Sequence, residues 1–548
     1  MRCRIFATLV ATSTTAVCLA QKPTSVAPGK PTSRDSLKAA TISVYQTYQP
    51  ELKPVFKPLY TPSVPETDTT TFAQEYKVLP QPAALPYYPV PIRPLALQQD
   101  TLGTVPADYI KLGLGNRSTF LLEGATTRIQ TKNLTSALYL RHFRQADERV
   151  ANRRFNETQA AYNLTTQVAA GTLRAQIDGL RNSYGEYAFN EARAVVVDGL
   201  HTYFGLGIRT ELEMTEASFL KGIKPQIAAR YFDGPQIEGE WMIRAAVPFQ
   251  VALGTGVRLS LTPSVNFTRV GLGNTMGYNN LHSLATVLVF DQDRFSARVG
   301  AVPTYVQDKG FRLLPDLMLR YALVPQKTAL ELGWKGTVTQ NRLEELAAQN
   351  PFLTQYTIAQ TESKEAYAEL NTNLGKAVSF SLRGSYWHWK DLPLFVNNLL
   401  SSTGQIGFGL EYTEAKAATL QARLRYAIGE TVQVGVFTQL ANYYPEDQPR
   451  LWHIPAVRFG ADVHAAPVKN LQLGARISFA DQFFARGDFN QAIDLGTLTD
   501  LRADASYQFI PHWSVWVQGT NLLNARNERF YGYPAIGRGI AAGLRVQF

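Results

Sequence analysis

The stretch GTNLLNARNERFYGYPAIGRGIAAGLRVQF, residues 519–548, decides the fold. In its last nine residues Ile540, Ala542, Leu544, Val546 and Phe548 share one parity, and Ala541, Gly543, Arg545 and Gln547 share the other. Successive side chains of a strand point to opposite faces, so the run reads as a strand with one apolar and one polar side. A soluble domain usually lets its last residues trail into solvent. This run stops instead on an aromatic of its apolar face. In a barrel closed through its first and last strands, the chain can stop where the strand stops. Phe548 is therefore expected at the seam. With the alternating apolar residues before it, it is also expected to be the insertion signal read by the outer-membrane barrel assembly machinery.

The same alternation recurs from Tyr109 onward. In GVRLSLTPSVNF (256–267) Val257, Leu259, Leu261, Val265 and Phe267 alternate with Arg258, Ser260, Thr262, Ser264 and Asn266. NLQLGARISFA (470–480), LRADASYQF (501–509) and TLQARLRYAI (419–428) repeat the pattern. Such runs of about ten residues match a tilted membrane-spanning strand. Short turn sequences such as AIGETVQV and TNLGKAVSF separate some runs, and long polar stretches such as YYPEDQPRLWH separate others. Short turns on one rim and long loops on the other belong to an outer-membrane barrel. Aromatics gather at run ends, in YWHWKDLP (386–393), NYYPED (442–447) and PHWSVW (511–516), which predicts girdles at the two membrane interfaces. One segment, NRLEELAAQNPF (341–352), reads as a helix within a loop. The expected fold is all-β: a large antiparallel transmembrane β-barrel of roughly 16–22 strands over residues 108–548, facing outer-membrane lipid.

The preceding chain differs in kind. MRCRIFATLVATSTTAVCLA, residues 1–20, has the basic start, short apolar run and small residues of a secretory signal. Both cysteines, Cys3 and Cys18, fall inside it, so a mature chain would hold no disulfide in its oxidising compartment. Half of the 30 prolines fall in residues 21–107, as in LPQPAALPYYPVPIRPLAL (79–97). Proline lacks an N–H donor and cannot sit in a central strand. This segment is expected to be extended, with its Tyr and Phe residues lying in or across the periplasmic mouth. The net charge of +10 comes from scattered Lys and Arg rather than a stripe, which argues against nucleic acid as a partner.

The stretch NLLNARNERFYGYPAIGRGIAAGLRVQF resembles the end of TonB-dependent outer-membrane receptors. Asn521, Leu522, Leu523 and Asn524 match the family's turn, and Tyr531, Gly532, Tyr533 and Pro534 match its aromatic-Gly-Tyr-Pro loop. Gly537, Arg538 and the terminal aromatic Phe548 follow in order. YIKLGLGN (109–116) and LEELAAQNPFL (343–353) are similar to a plug-poor barrel group of the Bacteroidota. The resemblance implies a barrel that binds or transports a nutrient at the outer membrane of a Gram-negative cell, with TonB or a surface lipoprotein as a candidate partner. It also marks a departure. Residues 21–107 are too few and too proline-rich for the family's globular plug, and no segment matches its TonB-engaging box, so energy-coupled uptake stays open.

No catalytic constellation stands out, and neither a cofactor nor an enzymatic activity is expected. His142, His201, His282, His388, His453, His464 and His512 are scattered without metal-ligand spacing. The polar face of the strands remains. Arg258, Arg383, Arg423, Arg425, Arg476, Arg502 and Arg545 share the parity of the small polar residues and are expected to line the lumen. A charge on the lipid face would cost about 2–4 kcal/mol near the midplane. Such an interior could favour anionic solutes, or its arginines could pair with carboxylates such as Asp504 in a filled lumen. Two functions follow: solute uptake, or a non-transporting structural or assembly barrel acting with a periplasmic or surface partner.

Overall fold

The computed structural model describes residues 108–548 apart from residues 128–130, 132, 148, 151, 189–198, 215–219, 274, 376, 399–405, 430 and 488–489. The expected signal and the proline-rich stretch 21–107 lie outside the described residues. The described chain forms a closed antiparallel barrel of 22 strands, at the upper end of the expected range. Each strand pairs with its neighbours in chain order, from Tyr109–Gly115 and Thr119–Thr126 round to Trp513–Thr520 and Gly539–Gln547. Closure is direct. Gly539–Gln547 pairs with Tyr109–Gly115 in a register that sets Ile110 against Val546 and Leu112 against Leu544.

The seam is close-packed. Gly113 and Gly543 face each other, and the Trp516 side chain lies across Gly113. A Cβ on Gly113 would sit 2.2 Å from the indole, and one on Gly543 would sit 1.8 Å from the Leu112 carbonyl oxygen. Only glycine lets the backbone and the indole approach this closely.

Proline shapes one sector of the wall. Leu220–Lys221 and Gln226–Gly234 form one wall strand interrupted before Pro225, and Ile237–Ala246 and Phe249–Gly254 form the next, interrupted at Pro248. Both breaks fall where a proline removes a ladder donor. The alternation read from the sequence sets the faces. Leu112, Leu114, Phe267, Leu319, Leu332, Ile540 and Leu544 are exposed on the outside, as lipid-facing residues must be. Among the described residues no helix is long and apolar enough to cross a membrane, and the strands do the crossing.

The two rims differ as expected. At the rim of Asp108 and Phe548 the connections are short, as at 169–170 and 255–256. At the other rim they lengthen to 186–199, 341–359, 446–456 and 521–538, which makes it the extracellular side. The hairpin Val378–Asn398 and Gly407–Ile428 has arms of 21 and 22 residues, about twice the length needed to span, so it extends beyond the membrane.

The expected aromatic girdles need a correction. Each cluster splits by parity: Tyr386, Tyr444 and Trp513 are exposed outside, while Trp387, Trp389, Tyr443 and Trp516 point inward. Sequence neighbours in a strand cannot share a face, so a run of adjacent aromatics supplies a girdle with only half its members.

Candidate functional site: a lid in the extracellular mouth

The connection 341–359 folds into the mouth and carries the helix Leu343–Gln349, which the sequence places within 341–352. Its first turn has no side-chain cap of its own. The barrel wall supplies one. The Leu343 N–H donates to Oε2 of Glu240 at 3.1 Å, and Glu240 is only 1% exposed on the inner face of Ile237–Ala246. The buried carboxyl oxygen accepts one of the N–H groups that the first turn of the helix leaves unsatisfied. One residue on, Glu344 accepts from Arg230 Nε at 2.9 Å, and Arg230 also binds Asp178 on the neighbouring part of the wall. The helix is thereby held by backbone and side chain to inward-pointing residues.

The rest of the loop is tied as tightly. The Pro351 carbonyl accepts from Tyr203 Oη at 2.9 Å and from His201 Nδ1 at 3.0 Å. Thr354 N–H donates to the Phe408 carbonyl at 2.8 Å, and Phe408 N–H to the Phe352 carbonyl at 3.1 Å. Apolar packing completes it: Leu343, Leu346, Leu353 and Phe408 are at most 1% exposed. Each such side chain stabilises the closed lid by about 1.5–3 kcal/mol relative to exposure.

The resemblance motif enters here. Phe352 stacks on Tyr533 with ring centroids 3.6 Å apart, and Tyr533 Oη donates to the Ile406 carbonyl at 2.7 Å. Burial pushes the Tyr533 phenol up from its ordinary value. Tyr187 Oη donates to the Pro534 carbonyl at 2.9 Å, and Tyr531 packs against the same cluster. Gly532 has φ +82°, a conformation that favours glycine, and its N–H donates to Glu528 at 2.6 Å.

Asn521 and Asn524 close the base of the loop. Asn521 Oδ1 accepts from Ala525 N–H at 2.9 Å, its Nδ2 donates to the Ala525 carbonyl at 3.0 Å, and Asn524 Oδ1 accepts from Arg538 N–H at 3.0 Å. A Cβ on Gly537 would lie 2.9 Å from that same Asn524 oxygen. Leu522 packs over Gly519, and Leu523 is exposed. The motif residues thus build the loop that meets the lid.

The seven arginines sit on the parity opposite the exposed apolar residues but fall into two groups. Arg258 pairs with Asp291 at 2.6 Å, Arg383 with Glu365 and Glu369 at 2.7 and 2.9 Å, and Arg502 with Asp500 at 2.6 Å. Arg423 lies over the Phe437 ring, Arg545 over the Tyr109 ring, and neither they nor Arg425 and Arg476 have a carboxylate partner among the described residues. Asp504 holds none of them within ion-pairing distance; it lies over Gly474. Beside the lid a cavity of about 590 Å³ is lined by Arg141, Glu157, Tyr184, Phe352 and Arg502.

Sequence reasoning missed Glu240, Arg230, Asp178, His201 and Tyr203. Strand parity assigns each of them to the inner face, but nothing local says that a loop more than a hundred residues away lies above Glu240.

His453, in the connection 446–456, is buried with its Nδ1 2.9 Å from the Phe395 carbonyl and its ring between Phe408 and Phe530. Its Nε2 is buried without a hydrogen-bond partner. Burial holds its pKa down at about 4 against an ordinary 6.5. Unfolded, the imidazole takes a proton below about 6.5; in place, only below about 4. The packing around His453 therefore contributes its full stability above pH 6.5 and loses about 3 kcal/mol as pH falls towards 4. Limited proteolysis of the outer loops should accelerate between pH 7 and 4.5, and His453→Phe should flatten that dependence. An unchanged slope in the variant would assign it to other groups.

No protein-family model matches the chain, and no curated protein matches it either. Solved structures do. The FrpB iron transporter from Neisseria meningitidis matches with TM-score 0.62 at 9% identity, covering 80% of this chain and 82% of that one. The siderophore receptor PirA from Acinetobacter baumannii gives 0.59 at 11% identity over 80% of each chain. The copper transporter OprC gives 0.57 at 11% identity over 80% and 82%. The chain shares the fold of these transporter and receptor barrels. The match rests on architecture, since identity this low leaves few shared side chains.

Proposed function

We propose that the chain is an outer-membrane uptake barrel whose extracellular mouth is gated by the connection 341–359. The observation that supports this most is the lid: a helix capped by the wall residue Glu240 and clamped by Arg230 inside the mouth of a 22-strand barrel. A barrel of that size has a lumen wide enough for a channel or a plug. A purely structural barrel has little use for a closure made of so many separate loops. The matched structures are a copper transporter, an iron transporter and a siderophore receptor, and the proposal takes from them uptake of a solute, with no cargo assigned. TonB or a surface lipoprotein is the partner this reading calls for.

A cross-link tests it. An ideal Cβ on Gly407 would lie 3.2 Å from the Thr354 Cβ, near the spacing of a disulfide, and the two cysteines of the sequence lie at 3 and 18. In cells lacking the chain, growth on limiting solutes would be screened for a defect that the native gene restores. The pair Thr354→Cys with Gly407→Cys should restore growth in reductant and fail when oxidised. Full restoration by the oxidised pair would remove the gate. Absence of any defect in cells lacking the chain would favour a non-transporting barrel that acts with a periplasmic or surface partner.

A further inference from the structure

We infer that the inner wall from Gly407–Ile428 to Leu498–Ile510 binds a solute carrying two or more carboxylate or phosphate groups. The inference deepens the uptake reading by naming a substrate class, and it stands on a contrast between two sides of the lumen. On one side most of the inward arginines are satisfied, with Arg209, Arg244 and Arg320 exposed and without a carboxylate in range among the described residues. Arg174 pairs with Glu211 and Glu213, Arg258 with Asp291, Arg298 with Asp316 and Arg383 with Glu365 and Glu369. On the other side Arg423, Arg425, Arg458 and Arg476 are exposed to the lumen with no carboxylate in ion-pairing range among the described residues.

The register concentrates these charges. One row across the wall runs Arg425, Gly435, Asp462, Arg476 and Arg502, each directly opposite the next. Arg476 and Arg502 are therefore like charges face to face, an arrangement that destabilises a sheet unless something neutralises it. Neighbouring strands lie about 4.8 Å apart, so the guanidinium groups of adjacent strands can grip two anionic groups of one small molecule.

The acids of this wall are turned aside. A Cβ on Gly435 would sit 2.9 Å from Asp462 Oδ1, and one on Gly474 would sit 2.6 Å from Asp504 Oδ1, so both carboxylates lie flat over glycines. Asp500 is taken up by Arg502. Below Glu411, which Arg486 engages, Arg423, Arg425, Arg458, Arg476 and Arg502 against Asp462, Asp500 and Asp504 leave an excess of two positive charges, five minus three. All five cations are arginine. Its planar fork matches carboxylate and phosphate oxygens two at a time, which a lysine ammonium does not.

The test uses the full-length protein in detergent at low salt, titrated calorimetrically with citrate and separately with pyrophosphate. Saturable binding of at least one is expected, weakening as salt is raised. Arg425→Gln with Arg476→Gln should reduce the affinity by on the order of tenfold or more, through lost charge-assisted hydrogen bonds. Arg258→Gln, on the paired side, should leave it within about twofold, since its guanidinium is already engaged by Asp291. Binding of citrate alone assigns the carboxylate class, and binding of pyrophosphate alone the phosphate class. No binding of either, or an equal loss in Arg258→Gln, overturns the site. A cross-linked lid that leaves growth intact would sink the gate and not this surface.

Discussion

A protein lacking residues 21–107 and carrying a short Gly-Ser turn in place of residues 343–353 should conduct on the order of tenfold or more above the full-length chain in a planar bilayer. Either change alone should add little. The reason is that resistances in series are set by the larger one. The lid closes the outer mouth through Glu240, Arg230, Tyr203 and the Phe352–Tyr533 stack. The proline-rich segment precedes the first strand at the opposite rim, where the sequence predicts that it lies across the opening. Heat-modifiable migration on gels should be unchanged in all four proteins, because the wall strands pair with one another and only the Phe408 end of one of them bridges to the lid. If the loop change alone gives the whole increase, the proline-rich segment is only a tether. If the truncation alone gives it, the loop is no barrier to ions. A silent double variant would mean that the lumen is closed elsewhere, and the uptake reading would lose its path.

How much of this was legible follows from the range of the interactions involved. Strand identity was, because a period of two is written into GVRLSLTPSVNF and NLQLGARISFA residue by residue. Closure was legible through the alternation at Ile540–Phe548, and the helix through LEELAAQ. The long hairpin 378–428 was not, since pairing beyond the membrane needs no lipid-facing alternation. The lid was not legible either. Glu240 reads as one more polar inward residue until the backbone of Leu343 is set 3.1 Å away. The division of the arginines has the same character. Parity assigns Arg258 and Arg425 to the same face, but only the register shows that Arg258 has Asp291 within reach and that Arg425 lies in a row with Arg476 and Arg502.

At the seam, Phe548→Asp should reduce the amount of assembled barrel in the outer membrane by on the order of tenfold, while Gln547→Asp stays near the native level. Stability and recognition make different predictions along this strand, which allows them to be separated. A charge on the lipid face costs about 2–4 kcal/mol at the midplane and about 0–1 kcal/mol near the interfaces. Leu544 is exposed on the outer face four residues before the end, whereas Phe548 is exposed at the rim, its N–H donating to the Asp108 carbonyl at 3.1 Å. Gln547 faces inward opposite Tyr109. If folded-state energy alone governs assembly, Leu544→Asp should be the most damaging of the three and Phe548→Asp nearly harmless. If the terminal aromatic is read during insertion, Phe548→Asp should be at least as damaging as Leu544→Asp despite its rim position. Its assembled protein, once isolated, should then unfold at close to the native temperature. Equal tolerance at 547 and 548 would show that the aromatic at 548 is part of the wall and nothing more.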